Sequence, residues 1–187
     1  MLLVQLTSQT MTTYIYPNYF RNTGAQSVAG LVGVVITLGC AGFTVKLSQK
    51  FGRKELGIFA SLLGAVVFIA AFFIHTTNAW IFVGLYAVAY IGLAVFSLIS
   101  WAMITDVIDD TEVQTGERSD GTIYAVYSFA RKLGQAASSG ISGLLLTIIG
   151  YTQATAFDEN VVNGIYNLTC LVPAVGYLLM AIALKFL

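Results

Sequence analysis

Six of the chain's nine acidic residues, Asp106, Asp109, Asp110, Glu112, Glu117 and Asp120, fall in one short stretch together with a single cation, Arg118. Carboxylates so concentrated have three common uses: holding a metal, working as an acid and base, or pairing with cations to tie chain segments together. Immediately downstream, Tyr124, Ser128, Arg131, Lys132, Gln135, Ser139 and Ser142 recur every three or four residues in an otherwise apolar segment. That spacing places hydroxyl, amide and cationic groups on one face of a helix. The result is a wet stripe able to hydrogen-bond a polar ligand.

The elements that must carry these groups follow from composition. The 187 residues are 57% hydrophobic and 10% charged, with a mean hydropathy of +0.81, against roughly 25% charged residues in a soluble domain. Runs of about 20 apolar residues are what a hydrocarbon core of about 30 Å requires of a helix. They occur approximately at Leu2 to Phe20, Ala25 to Val45, Glu55 to Ile74, Ala79 to Thr105, Gly121 to Gly150 and Val162 to Phe186. The expected fold is an all-α membrane protein of six transmembrane helices, forming one unit over residues 1–187.

A net charge of zero gives no reason to expect nucleic acid. Charge placement says more. Lys46, Lys50, Arg53, Lys54, Arg118 and Lys185 fall on one side if the spans alternate, and Arg21 is the one fixed cation in the opposite loops. The excess of Lys and Arg on cytoplasmic loops then predicts cytoplasmic termini and cytoplasmic loops at 46–54 and 106–120. Cys40 and Cys170 lie within spans and read as buried thiols rather than a disulfide.

The N-terminus has no basic leader, and polar residues interrupt its apolar run, so it reads as a transmembrane helix and not a cleavable signal. Gln5, Gln9, Thr12 and Tyr16 form a polar stripe on it at spacings of four, three and four. A first helix lined this way would insert poorly alone, which suggests the later part of a longer protein. In the second helix, Gly30, Gly33, Gly39 and Gly42 suit tight packing or bending. In the third, Gly57, Ser61 and Ala65 form a small-residue seam on a helix expected to face lipid. The first, fifth and fourth helices, the last through Ser97, Ser100, Trp101 and Thr105, are the expected cavity liners.

Each of these residues also has a plainer reading. Hydroxyls in membrane helices commonly bond their own backbone or a neighbouring helix. Trp101 suits an interfacial anchor as well as a stacking platform for a sugar, and Tyr14, Tyr16, Tyr19 and His75 fit the boundary belt. Arg131 and Lys132 stand apart, because they lie some ten residues inside their span. A charge at the bilayer centre costs at least roughly 2.5 to 3.5 kcal/mol. The pair should therefore meet water or a carboxylate, either as a salt bridge to Asp106 or Asp109 or as a site for substrate or coupling ion near the midplane. Asp106, Asp109 and Asp110 end the fourth helix, where the dipole disfavours negative charge. Arg118, Arg131 and Arg53 are the candidate partners, in an ion-paired latch with Glu112. No histidine is nearby and the spacing is not a calcium loop, so no metal site is expected.

The string D-x-x-D-D-x-E-x-x-T-G-x-R-x-D-G from Asp106, followed by I-Y-A-x-x-S-F-x-R-K-L-G from Ile123, resembles the glycoside-pentoside-hexuronide:cation symporters, the melibiose carrier's family within the major facilitator superfamily. Lys46 to Arg53-Lys54 resembles the basic loop between helices eight and nine of that fold. The resemblance covers the chain as helices seven to twelve and implies a sugar carried with Na+ or H+, no cofactor, and a partner half of six helices not contained in these residues. By position, Lys132 is similar to the lysine of helix eleven beside the cation site, Ser128 to a hydroxyl one turn earlier and Tyr124 to an aromatic of that helix. Asp106, Asp109, Glu112 and Arg118 resemble the cytoplasmic charged network. The sequence departs from the family at Asp110, Val113 and Ser97, where tyrosine, an aromatic and a sugar-contacting tryptophan are common, so the substrate stays open.

Two other classes compete. A six-helix protein can act as a homodimeric transporter or channel, and a membrane enzyme could use Asp106 and Asp109 as a catalytic pair. Against the enzyme, no nucleophile with an adjacent base is visible.

Overall fold

The computed structural model describes residues 1–186. In chain order α1 (Leu2–Tyr14) runs into a π-helical turn (Ile15–Tyr19) and is followed by α2 (Thr23–Phe51), α3 (Arg53–Ile74), α4 (Ala79–Thr115), α5 (Asp120–Ile148) and α6 (Glu159–Phe186). No strand occurs among the described residues.

Local chemistry sets several boundaries. The side-chain oxygen of Asn22 accepts from the Ala25 N–H at 3.1 Å, and that of Asn78 from the Trp80 N–H at 2.9 Å, capping α2 and α4. Gly116 closes α4 in the left-handed region at φ 74°, where glycine carries no side-chain penalty. Gly52, at φ 88°, is the whole connection between α2 and α3.

Two segments expected as loops are therefore mostly helix. The basic stretch 46–54 is the end of α2, one glycine and the start of α3, and α4 continues through the acidic stretch to Thr115. Nothing between Thr105 and Gly116 interrupts a helix, because neither glycine nor proline occurs there. At about 1.5 Å per residue, the 37 residues of α4 extend roughly 55 Å, far beyond an apolar slab of about 30 Å.

By length and composition, α2, α3, α4 and α6 can each cross a membrane. Helix α1, at 13 residues, is too short for that group, and the polar stripe of α5 keeps that helix out of it. Much apolar side-chain surface stays exposed, including Leu31, Val35 and Leu38 on α2 and Phe129, Leu133 and Leu144 on α5. Such surface suits a hydrocarbon surround rather than water.

Helix α3 packs against α4 on one side and α6 on the other, α2 lies on α4, and α1 lies between α5 and α6. Small residues permit the closest approaches. A side chain at Gly92 would run into the Ala60 carbonyl oxygen, and one at Gly57 would come within 2.9 Å of Leu184. The Gly57, Ser61 and Ala65 seam is buried there, while Phe59, Val66 and Phe73 remain exposed on the opposite face. On α2 close packing occurs at one of the four glycines: Gly33 meets the Tyr90 ring at 3.3 Å, and Gly30, Gly39 and Gly42 border open space.

Most hydroxyls within the helices return to their own backbone, as Ser8 does to the Val4 carbonyl at 2.8 Å and Ser61 to the Gly57 carbonyl at 2.8 Å. Thr7 and Ser138 instead pair across α1 and α5 at 3.0 Å. With Gly134 beside Leu2 and Leu3, this contact fixes α1 and α5 as parallel neighbours in register. Cys170 is buried, Cys40 half-buried, and both are free thiols.

Candidate functional site

The acidic end of α4 separates into two ion-paired groups. Arg53, in the first turn of α3, pairs with Asp106 and also donates to the Ala102 carbonyl oxygen at 3.0 Å, joining α3 to α4. Arg118, in the short α4–α5 connection, lies 2.8 Å from Glu112, 3.0 Å from Asp120 and 3.9 Å from Asp109. The hydrogen bond to Asp120 and the charges of Asp120 and Glu112 raise the Arg118 guanidinium above its ordinary pKa. Asp110 belongs to neither group and accepts from the Gln114 amide at 2.7 Å. Among the described residues, no three His, Cys, Asp or Glu side chains converge in a form that could hold a metal.

This arrangement works as a pair of clamps between helix ends. Asp120 was absent from the network expected from sequence, although its position two residues after Arg118 is what lets the Arg118 Nε reach it. Arg131, expected as a further partner for the carboxylates, goes elsewhere. Its guanidinium lies 4.9 Å from the Trp101 ring centre and 5.5 Å from that of Tyr127, within cation–π range. Trp101 and Tyr127 meet edge to face at 5.6 Å, so the three side chains link α4 to α5. The cation–aromatic stack offsets part of the cost of a charge in an apolar span without any carboxylate.

The polar stripe of α5 divides in two. Tyr124, Ser128, Lys132, Gln135 and Ser139 lie on an exposed face, with Ser139 donating to the Gln135 carbonyl oxygen at 3.4 Å. Ser138 and Ser142 turn inward and are buried. Among the described residues no carboxylate comes within ion-pairing distance of Lys132. Lys132 and Arg131 are therefore adjacent in sequence and separate in surroundings.

Two cavities involve the remaining candidates. One, of about 310 Å³, lies between the start of α1, α4 and α5 and is lined by Ser100, Tyr127 and Arg131 among others. The second, of about 320 Å³, lies between α1, α2 and α4 and brings Gln9 and Thr12 together with Tyr16, Gln26, Tyr86 and Tyr90. Gln5 and Ser97 are half-buried and line neither. Tyr16, expected in a boundary belt, is fully buried in the core, 6.0 Å from the Phe82 ring. Gln26, Tyr86 and Tyr90 escaped the sequence reading. The Tyr86 and Tyr90 spacing of four was their available signal.

The sequence profile of the family described as MFS/sugar transport protein matches residues 2–187. The chain belongs to this family. Members similar to it include the uncharacterized symporter YjmB of Bacillus subtilis (strain 168), 34% identical over 148 residues that make up 78% of this chain and 31% of that protein. The glucuronide carrier protein homolog of Escherichia coli (strain K12) is 30% identical over 168 residues, 89% of this chain and 36% of that protein. The isoprimeverose transporter of Lactiplantibacillus pentosus is 30% identical over 166 residues, 87% and 33% of the two chains. The chain spans about a third of the length of these curated relatives. Family membership carries the all-α membrane architecture with it, and the relatives are carriers rather than enzymes, which removes Asp106 and Asp109 as a catalytic pair.

Proposed function

We propose that the chain is the C-terminal six-helix half of a carrier in the cell membrane that moves a sugar or glycoside with Na+ or H+ by alternating access. Both termini would lie in the cytoplasm and a second six-helix half would complete the path. The observation that carries this reading is the exposed α5 face bearing Tyr124, Ser128, Lys132 and Gln135. Lipid against Lys132 near mid-span would cost at least roughly 2.5 to 3.5 kcal/mol. A water-filled path shared with another helical half removes that cost and gives the hydroxyl and amide groups a ligand to bind. The names of relatives, a glucuronide carrier protein homolog and an isoprimeverose transporter, support a glycoside as cargo. Lys132 and Ser128 serve coupling and substrate in this reading, and the clamps at Arg53 and Arg118 hold the cytoplasmic end closed.

The test is uptake by proteoliposomes containing the full-length carrier, offered labelled glucuronide and isoprimeverose under an imposed Na+ or pH gradient. Accumulation that follows one gradient and collapses with it is the expected result. Vesicles containing only these 187 residues should accumulate neither sugar, because the first two helices hold no carboxylate for a cation: Glu55 is the first acidic residue. Uptake by that half alone would favour a self-contained homodimer.

A further inference from the structure

The corner where α2 turns into α3 joins an apolar groove to a set of unpaired cations. Leu47 and Phe51 of α2, with Glu55, Leu56 and Phe59 of α3, line a cavity of about 300 Å³. Leu47, Phe51 and Phe59 are exposed, so the groove faces the surroundings of the bundle and not its core. Lys46 and Lys50 stand four residues apart on one face of α2, and Lys54 lies in the first turn of α3. The Lys50 ammonium is 5.4 Å from the centre of the Phe51 ring, which puts a cation on the wall of the groove. Among the described residues none of these three lysines has a carboxylate within ion-pairing distance, whereas the neighbouring Arg53 is engaged by Asp106. Glu55 is the acid of the groove. Its carboxylate folds back over Gly52, where an added side chain would meet it, in a first helical turn whose dipole favours negative charge.

Height along the bundle matches a membrane boundary. The chain reverses at Gly52, so Lys46, Lys50 and Lys54 all lie within about 9 Å of the corner, and Leu47 and Phe59 lie about 8 to 11 Å below it. The headgroup region of a bilayer is about 5 to 8 Å deep on each side. Lysine stems can rest on apolar surface while their ammonium groups reach the headgroups. The same corner therefore presents positive charge at the level of lipid phosphates and apolar walls at the level of the first acyl carbons.

We infer that this corner holds one anionic phospholipid, its phosphate on Lys46, Lys50 and Lys54 and one acyl chain in the groove. Basic pockets on the helices of membrane proteins take anionic headgroups in this way. A zwitterionic headgroup would set its own cation against the lysines. A free anion would leave the apolar walls uncovered, and an acidic protein segment would press polar backbone against Leu47, Phe51 and Phe59. The inference needs α2 and α3 in a membrane and does not need a sugar as cargo, so its failure leaves the transport reading untouched.

The experiment titrates the purified full-length carrier in detergent with phosphatidylglycerol and with phosphatidylcholine of the same acyl chains, reading the first bound lipid by native mass spectrometry. Each lysine near an anionic headgroup contributes about fivefold, so phosphatidylglycerol should bind at least about tenfold more tightly; equal affinities for the wild-type carrier would overturn the inference without any variant. Lys46→Gln combined with Lys50→Gln exchanges two exposed side chains and should bring the two lipids within about threefold of each other at an unchanged thermal midpoint. A preference that survives in this variant places the anionic lipid elsewhere. Phe51→Ser combined with Phe59→Ser should weaken both lipids alike and keep their ratio, and unaltered binding would show that no acyl chain enters the groove. Inorganic phosphate at the concentration of the lipid should displace nothing; displacement would mark a site for a free anion and overturn the inference.

Discussion

Arg118 holds three carboxylates at unequal distances, and the inequality orders the consequences of substitution. Asp109, at 3.9 Å, is the most distant partner, whereas Glu112 and Asp120 lie at 2.8 and 3.0 Å. Asp109→Asn should therefore leave the clamp largely in place, preserving sugar binding and changing exchange across the membrane only modestly. Arg118→Ala frees all three carboxylates and should alter the exchange rate more, with little change in thermal stability because exposed pairs are screened by water and salt. Counterflow measurements on the two variants compare them directly, and a larger effect from Asp109→Asn would contradict this ordering. Lys132→Ala is expected to abolish gradient-driven accumulation while sugar binding persists, since Lys132 is assigned to coupling. Normal accumulation by that variant would show that the coupling residue lies elsewhere. The contrast with Arg131 was not legible in the sequence, because two neighbours on a helix point about 100° apart and, although Tyr127 lies one turn before Arg131 on α5, only the tertiary register brings Trp101 of α4 to the same side chain.

At the scale of elements, periodicity revealed which helices carry polar faces, and it did so for a physical reason: in a chain this apolar, each amide or charge stands out against its background. Helix ends were harder to read. Charged residues look like loop from composition, yet the Asp106 to Thr115 stretch stays helical because water at a membrane surface solvates those side chains without any need to unwind the backbone. The glycines of α2 and α4 make the same point from the other side. Gly92 lies against the Ala60 carbonyl oxygen and Gly84 borders open space, although both are glycines within one helix. Gly92→Ala should destabilise the bundle by about 1 to 3 kcal/mol, the usual range for forcing atoms into a packed interior. Gly84→Ala should be neutral or stabilising by up to about 1 kcal/mol, because alanine favours helix. Thermal unfolding of the two variants in detergent checks the pair, and equal midpoints would mean that the α3–α4 contact yields more readily than the geometry implies. Tyr16 had two readings in the sequence, a member of the polar stripe of α1 and a boundary aromatic, and only the packing of α1 places it in the core.

Across the whole molecule, fixed charge gathers at one end. Lys46, Lys50, Arg53, Lys54 and Arg118 lie where α2, α4 and α5 meet the polar side, and Arg21, His75, Asp158 and Glu159 lie in or beside the opposite turns. Single cysteines at Gln49 and Thr77 should therefore react with an impermeant thiol reagent from opposite sides of intact cells, with Thr77→Cys labelled from outside. Equal labelling of both from outside would reverse or abolish the proposed orientation. Helix α3 is fastened at both extremities, but to different neighbours. Arg53 binds the Ala102 carbonyl and Asp106 of α4 at one end. At the other end, the Tyr166 hydroxyl of α6 donates to the Ala71 carbonyl at 2.7 Å and accepts from the Thr76 N–H at 3.1 Å. The two attachments are roughly 27 Å apart along the axis. A rod pinned at both ends to two different beams resists sliding along either while both pins hold, and the buried Tyr166 pin should outlast the exposed Arg53 clamp, so α3 and α6 should tilt together even when that clamp opens. Spin labels at exposed Phe59 and Leu179 should then keep a constant separation on sugar binding.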